Sequence, residues 1–492
     1  MRTDPVSTSN GPVRGYREDG LQVFKGLRYG APPTGLERFK PPRPPEPWTA
    51  PADAVAYGAP AIQSGLGPGE RGSSVGDPPA PGEPDCSEDC LFLNVWTPGL
   101  DPARRPVMVW LHGGGFANGS GGAAMYDGGA LARRGEVVTV TVNHRLNVFG
   151  YLHLAEAFGP DYAQSGVAGM LDIVQALEWV RDNIEAFGGD PDNVTIFGES
   201  GGGWKVSLLL AMPSARGLFH KAAIQSGPGL TAKPPEAAAK TTRALLEALG
   251  VTTPEALAAV PTAVLSKASV AVPGEIMRLY TPVRDGVAIP RDPFEPDAAA
   301  LNADVPVLIG TNKDETTLFL LGHPRFGHFT DEDVAKLARD AAGEKAEALL
   351  AALREAYPDY SPTHLGAACQ TAAGMWIGSV RLAERKAALG AAPAYMYMLT
   401  WETPVAKGRL RSPHAVEIPL VFDNVEKARN FVGRGDEPQK VADQMSEAWL
   451  AFARTGDPGW PAYEPTHRTT KMFDLESRIE DDPLREVRAV LN

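Results

Sequence analysis

Four short apolar runs most narrow what this chain can fold into. Val107-Met-Val-Trp-Leu111, Val137-Val-Thr-Val-Thr-Val142, Val194-Thr-Ile-Phe197 and Val305-Pro-Val-Leu-Ile309 are too short for helices and read as buried strands. Between the second and third, Met170, Ile173, Val174, Leu177, Val180, Ile184 and Phe187 recur at spacings of three and four. That is one apolar face of a helix over 170–187. Gly188-Gly189 stops it, and Pro191 follows. Strand, helix, strand in this rhythm predicts βαβ units and a mostly parallel sheet, the α/β class. Ala-rich patterns over 234–260 and 330–357 add further helices.

Composition removes several alternatives. The 52 glycines and 45 prolines of the 492 residues fall short of the roughly 25–30% that marks disordered sequence. Many of them gather in two loops, 41–51 and 65–82. No internal repeat and no composition break divides the chain. The formal charge is −13, and basic residues cluster no further than pairs such as Arg104-Arg105. A phosphate backbone needs a basic patch, so nucleic acid is excluded as a partner. Three cysteines, no apolar leader in residues 1–16, and no long apolar run predict a soluble, cytoplasmic chain with reduced thiols and no membrane contact. A long uncharged stretch, 360–380, is broken by Pro362 and several polar residues.

The sharpest chemical signal is Gly198-Glu199-Ser200-Gly201-Gly202, after one predicted strand and before the helical run Lys205-Val-Ser-Leu-Leu-Leu-Ala211. A serine on such an elbow is lifted above the sheet edge, and its glycines avoid collisions with the neighbouring strand and helix. His112-Gly-Gly-Gly-Phe116 follows another predicted strand. Consecutive glycines let backbone N–H groups converge on a small anion, completed by the N–H after the nucleophile, Gly201. A P-loop would need Gly-Lys-Ser/Thr, which is absent; Gly119-Ser-Gly-Gly-Ala-Ala124 fits the dinucleotide pattern, but no strand precedes it. A serine nucleophile needs a base and an acid to orient the base, in the order serine, acid, histidine for this type of fold. His414 opens an apolar segment, while His323 and His328 stand in a Gly/Pro-flanked loop. Glu315 and Asp314 both follow a predicted strand end, and spacing does not separate them.

The chain resembles the type-B carboxylesterases, the family of cholinesterases and bacterial p-nitrobenzyl esterases. The matching segments run nearly end to end. They include Phe24-Lys-Gly-Leu-Arg-Tyr-Gly-Ala-Pro-Pro33, Ser87-Glu-Asp-Cys-Leu-Phe-Leu-Asn-Val-Trp96, the His112 loop and Asn143-His-Arg145. Phe187-Gly-Gly-Asp-Pro191, the Ser200 elbow, 310–315, 414–417 and Phe452-Ala-Arg-Thr-Gly-Asp-Pro458 complete the match. The resemblance implies an α/β-hydrolase fold: a central, mostly parallel sheet flanked by helices. It implies one domain over 1–492, with insertions around 65–85, 230–300 and 320–390 shaping an active-site gorge. Ser200 matches the family nucleophile, Glu315 its acid, His414 its base, and Gly114, Gly115 and Gly201 its oxyanion donors. Glu199 and Ser226 match positions beside the triad, and Arg38 with Glu88 a buried structural ion pair.

Three departures sharpen the expectations. The family commonly has Ala where Gly201 stands. Cys90 often pairs with a cysteine about thirty residues upstream in the family, but Ala61 and Ile62 occupy that region, so Cys90 is expected to be a free thiol. No aromatic residue lies between Tyr57 and Phe92, which removes the cation–π contact that choline esters need. The expected activity is hydrolysis of small to medium acyl or aryl esters through an acyl-enzyme, without metal or other cofactor. The expected partner is the small-molecule substrate, and the chain is expected to be a monomer or weak homo-oligomer. Alternatives are a carbamate or amide hydrolase with the same triad, or a non-catalytic binding protein on the esterase scaffold. The segment 276–280 and Trp204 are candidates for narrowing the acyl pocket.

Overall fold

All four apolar runs become strands: those at 107–111 and 194–197 are extended by pairing, the second starts one residue later at Val138, and the fourth shifts to Val307–Asn312. A computed structural model describes residues 1–68, 70 and 81–492. The chain forms two compact units, residues 1–222 with 229–302, and residues 223–228 with 303–492.

In the first unit, β1 (Tyr16–Glu18), β2 (Leu21–Arg28), β3 (Phe92–Thr97), β4 (Arg105–Leu111), β5 (Val138–Val142) and β6 (Gly189–Glu199) lie in the order β1-β2-β3-β5-β4-β6. β4 is parallel to both neighbours, with Val109 opposite Val140 and Ile196. β1, β2 and β3 pair antiparallel, as do β3 and β5. Every residue of 107–111 is fully buried, as an unbroken apolar run requires when both faces of a parallel sheet are covered. The predicted helix is α1 (Ala168–Asn183), continued by a tighter turn over Ile184–Phe187. Gly188 stops it at φ 77°, a left-handed conformation natural to glycine. From α1, Asp172 meets Arg145 in a buried bidentate pair, Nε at 2.8 Å and Nη2 at 2.5 Å. The expected ion pair of Arg38 and Glu88 also forms, at 2.7 Å and 2.8 Å.

The second unit holds β7 (Lys221–Gln225, of which 223–225 belong here), β8 (Val307–Asn312), β9 (Ala394–Leu399), β10 (Thr469–Phe473) and β11 (Arg478–Asp481), in that order. β8, β9 and β10 are parallel, and β11 returns antiparallel. The second Ala-rich pattern becomes Asp331–Ala342 with Ala346–Ala356 here, while the first becomes Pro235–Leu249 with Pro254–Ala259 in the first unit. The uncharged stretch becomes helix Pro362–Thr371, a π turn over Ala372–Trp376 and the start of helix Ile377–Ala388. Among the described residues, no helix is long and apolar enough to cross a membrane. The loop 41–51 has no regular structure beyond its end. Of the insertion expected around 65–85, residues 69 and 71–80 lie outside the described residues.

Candidate active site

The turn between β6 and the helix α2 (Gly201–Leu209) is the elbow expected from sequence. Ser200 sits there at φ 55° and ψ −120°, a conformation that costs a non-glycine residue about 1–3 kcal/mol. Tight packing explains why glycines surround it. A Cβ on Gly202 would lie 2.0 Å from the Leu111 carbonyl oxygen, and one on Gly201 2.2 Å from that of Gly115. The elbow is therefore pressed against the end of β4 and the glycine loop after it. Ser200 itself is only partly buried.

In that loop Gly114 and Gly115 both have left-handed φ values, 78° and 63°. Successive N–H groups in such a turn make an anion-binding concavity. The N–H groups of Ala117 and Asn118 donate to the Gly114 carbonyl at 3.2 Å and 3.1 Å and hold the loop closed. Among the described residues, no acceptor meets the N–H groups of Gly114 and Gly115. Glu199 ends β6 buried, close enough that a Cβ on Gly113 would lie 2.8 Å from its Oε2. Met277 lies over the loop, its Cε 2.7 Å from where a Gly115 Cβ would be. Trp204 packs edge-on against Phe116 at 5.3 Å and donates from Nε1 to the Thr231 carbonyl.

The same unit holds a charged residue that sequence reasoning passed over. Lys205 is fully buried, and its Nζ donates to the carbonyls of His112 and Gly115, both at 2.9 Å. Burial pulls its ammonium down to about 7, opposed by the Glu199 carboxylate. The available signal was a lysine in an otherwise apolar helical run. His112 and His144 stack nearby at 4.8 Å. Burial, and then the Lys205 charge, hold both imidazoles well below their ordinary range.

The second unit brings two of the other expected residues together. Glu315 follows β8 with no exposed surface, and its Oε2 lies 2.6 Å from His414 Nδ1. Its Oε1 accepts from the Asn312 N–H at 2.7 Å. A carboxylate on Nδ1 keeps that nitrogen protonated and leaves Nε2 as the acceptor. Phe319 tilts against the imidazole at 4.8 Å. Asp314, the other acid left open by spacing, turns elsewhere: it accepts from Tyr360 Oη at 2.6 Å and from the Ser412 N–H. His323 and His328 are exposed. Ser226 follows β7 at φ 50°, its N–H donating to the Gly310 carbonyl at 2.9 Å. Sequence reasoning gave Glu417 no place of its own, though it lies three residues past His414. It is fully buried, and Asn312 Nδ2 donates to it at 2.5 Å and to the Pro413 carbonyl at 2.8 Å. Burial and then the Glu315 carboxylate push its own carboxyl up. Cys90 is a buried free thiol, as expected.

Comparisons with known proteins identify the family of the chain. The model of the carboxylesterase family matches residues 2–487. The chain is 38% identical to the para-nitrobenzyl esterase of Bacillus subtilis, across 99% of this chain and 98% of that protein. It is 34% identical to the phenmedipham hydrolase of Pseudarthrobacter oxydans, across 94% of each. A crystal structure of a Geobacillus stearothermophilus carboxylesterase superposes with a TM-score of 0.86 at 38% identity, covering 100% of both chains. By fold the chain is an α/β-hydrolase, and it belongs to the carboxylesterase family.

Proposed function

We propose that this protein hydrolyses carboxylic esters through an acyl-enzyme on Ser200. His414 Nε2 takes the Ser200 proton as Oγ attacks the ester carbonyl. The oxyanion that forms accepts hydrogen bonds from the N–H groups of Gly114, Gly115 and Gly201, at the positive end of α2. The tetrahedral species then expels the alcohol, which leaves with the proton from His414. Water, deprotonated by the same nitrogen, attacks the acyl-enzyme and releases the acid. Glu315 holds the imidazole in the required tautomer and stabilises its positive form. Glu199 and Ser226 support the site without touching the reacting atoms.

The buried Glu315–His414 pair at 2.6 Å carries this reading, since a base with its orienter in place is what a weak serine nucleophile needs. Met277 and Trp204 beside the glycine loop support a preference for small to medium acyl groups. The net charge of −13, with Arg104 and Arg105 each facing carboxylates, supports a small-molecule partner rather than nucleic acid. The free thiols at Cys90 and Cys369 support a reducing, cytoplasmic location.

A kinetic series of p-nitrophenyl esters from acetate to decanoate, with one aryl carbamate, tests the substrate assignment. The expected result is a kcat/KM maximum at short to medium acyl length, with the carbamate slower. A carbamate turned over faster than every ester would move the assignment to carbamate hydrolysis.

A further inference from the structure

We propose that Lys205 is a positioning residue for ester hydrolysis: it grips the loop that carries the Gly114 and Gly115 N–H groups and fixes where they point. The inference rests on the reading above, in which those groups receive the oxyanion.

Lys205 is the fifth residue of α2, on the helix that begins just after Ser200. It has no exposed surface, so its ammonium has exchanged water for protein partners. A buried ammonium is costly unless it is hydrogen-bonded, and this one donates to the His112 and Gly115 carbonyls, each at 2.9 Å. These carbonyls flank the two candidate donors in sequence, one just before the glycine run and one at its end. Such charge-assisted bonds are roughly twice as strong as neutral ones. Moving either carbonyl away would strand the ammonium, so the loop is held at both ends. Phe116, the next residue, closes over the amine with its ring centroid 5.2 Å from Nζ.

The departure at Gly201 now has a physical reason. A Cβ there would stand 2.2 Å from the Gly115 oxygen and 2.5 Å from its Cα. The carbonyl that Lys205 draws in fills the space that alanine's methyl group, common in the family, would need. Glycine at 201 and lysine at 205 thus form one device: the glycine admits the loop and the lysine holds it. The ionisable groups around the amine suit that task. His112 and His144 are held neutral, and Glu199 supplies the opposing charge.

The test uses the full chain as wild type, Lys205→Met and Gly201→Ala, with p-nitrophenyl acetate as substrate and a trifluoromethyl ketone as analogue of the tetrahedral oxyanion. Misplacing reacting groups by about 1 Å costs on the order of 10²-fold. Lys205→Met is therefore expected to lower kcat by about 10- to 100-fold, to leave KM nearly unchanged, and to weaken the ketone by the same factor. Gly201→Ala keeps the buried lysine and should show the same split, because the held carbonyl cannot yield to the methyl group. If Lys205→Met lowers only thermal stability, with kcat and ketone affinity as in wild type, the lysine is structural and the proposal is overturned. If Lys205→Met does not fold, Gly201→Ala decides: a wild-type kcat shows that the loop is not held. Failure of the underlying reading looks different, because wild-type protein would then show no ester turnover at all.

Discussion

Between about pH 7 and about pH 10, unfolding takes up a proton at Lys205, a lysine with no exposed surface in the folded chain. In the folded protein the Lys205 ammonium lies at about 7, and in the unfolded chain it returns to about 10.4. Below about pH 7 both states hold the proton, so the folded state bears the full cost of burying the charge. From there to about pH 10.4 the unfolded state binds more protons, and unfolding free energy from this group rises by up to about 1.4 kcal/mol per pH unit. Urea titrations of wild type and Lys205→Met in parallel should show the wild type gaining on the variant between about pH 7 and about pH 10. A difference that stays constant across that range would mean that Lys205 keeps one protonation state. The partners of this residue explain why sequence reasoning passed over it. They are backbone carbonyls 93 and 90 positions away, and a carbonyl has no residue type to recognise. His414 and Glu315 present the same difficulty in milder form. They are 99 positions apart, so spacing left Asp314, His323 and His328 open, and only folding separates them.

Among elements, β4 was legible because its residues are apolar on both faces, and β5 because β-branched Val and Thr alternate along it. The strand β3 was recognised only as a family motif, because Asn94 interrupts its apolar run. Folding satisfies that side chain: Nδ2 donates to Thr141 Oγ1 and Oδ1 accepts from the Gly26 N–H, both at 2.9 Å. β6 begins five residues before its apolar run, at Gly189, opposite Arg105 on β4. Sequence shows only the helix stop there, because pairing with a partner strand leaves no local signature. The packing of α1 yields a prediction at this scale. Arg145 is 2% exposed at the side chain and Asp172 is fully buried, so removing the acid leaves a guanidinium with no counter-charge. Asp172→Ala should cost about 3–5 kcal/mol of stability, read as a lower urea midpoint. A loss under about 1 kcal/mol would mean that the backbone acceptors at Arg38 and Lys40 alone suffice for Arg145.

For the whole molecule, glycine and proline mark loops such as 41–51, while seven glycines in two short motifs, 113–115 and 198–203, build the turn that offers N–H groups and the elbow. Motifs spread along the chain marked the family, and the match over residues 2–487 bears that out. Gly201 stood out in sequence as a departure, and its cause became visible only once the approach of the Gly115 carbonyl was known. In the proposed mechanism ester cleavage passes through a covalent bond to Ser200. Labelling with a fluorophosphonate, followed by peptide mass analysis, tests it most directly alongside p-nitrophenyl acetate turnover. One adduct per chain is expected, on the peptide that contains Ser200, with label and turnover both reduced to background by Ser200→Ala. Turnover that survives in Ser200→Ala, or an adduct on another residue that accounts for the activity, would contradict it.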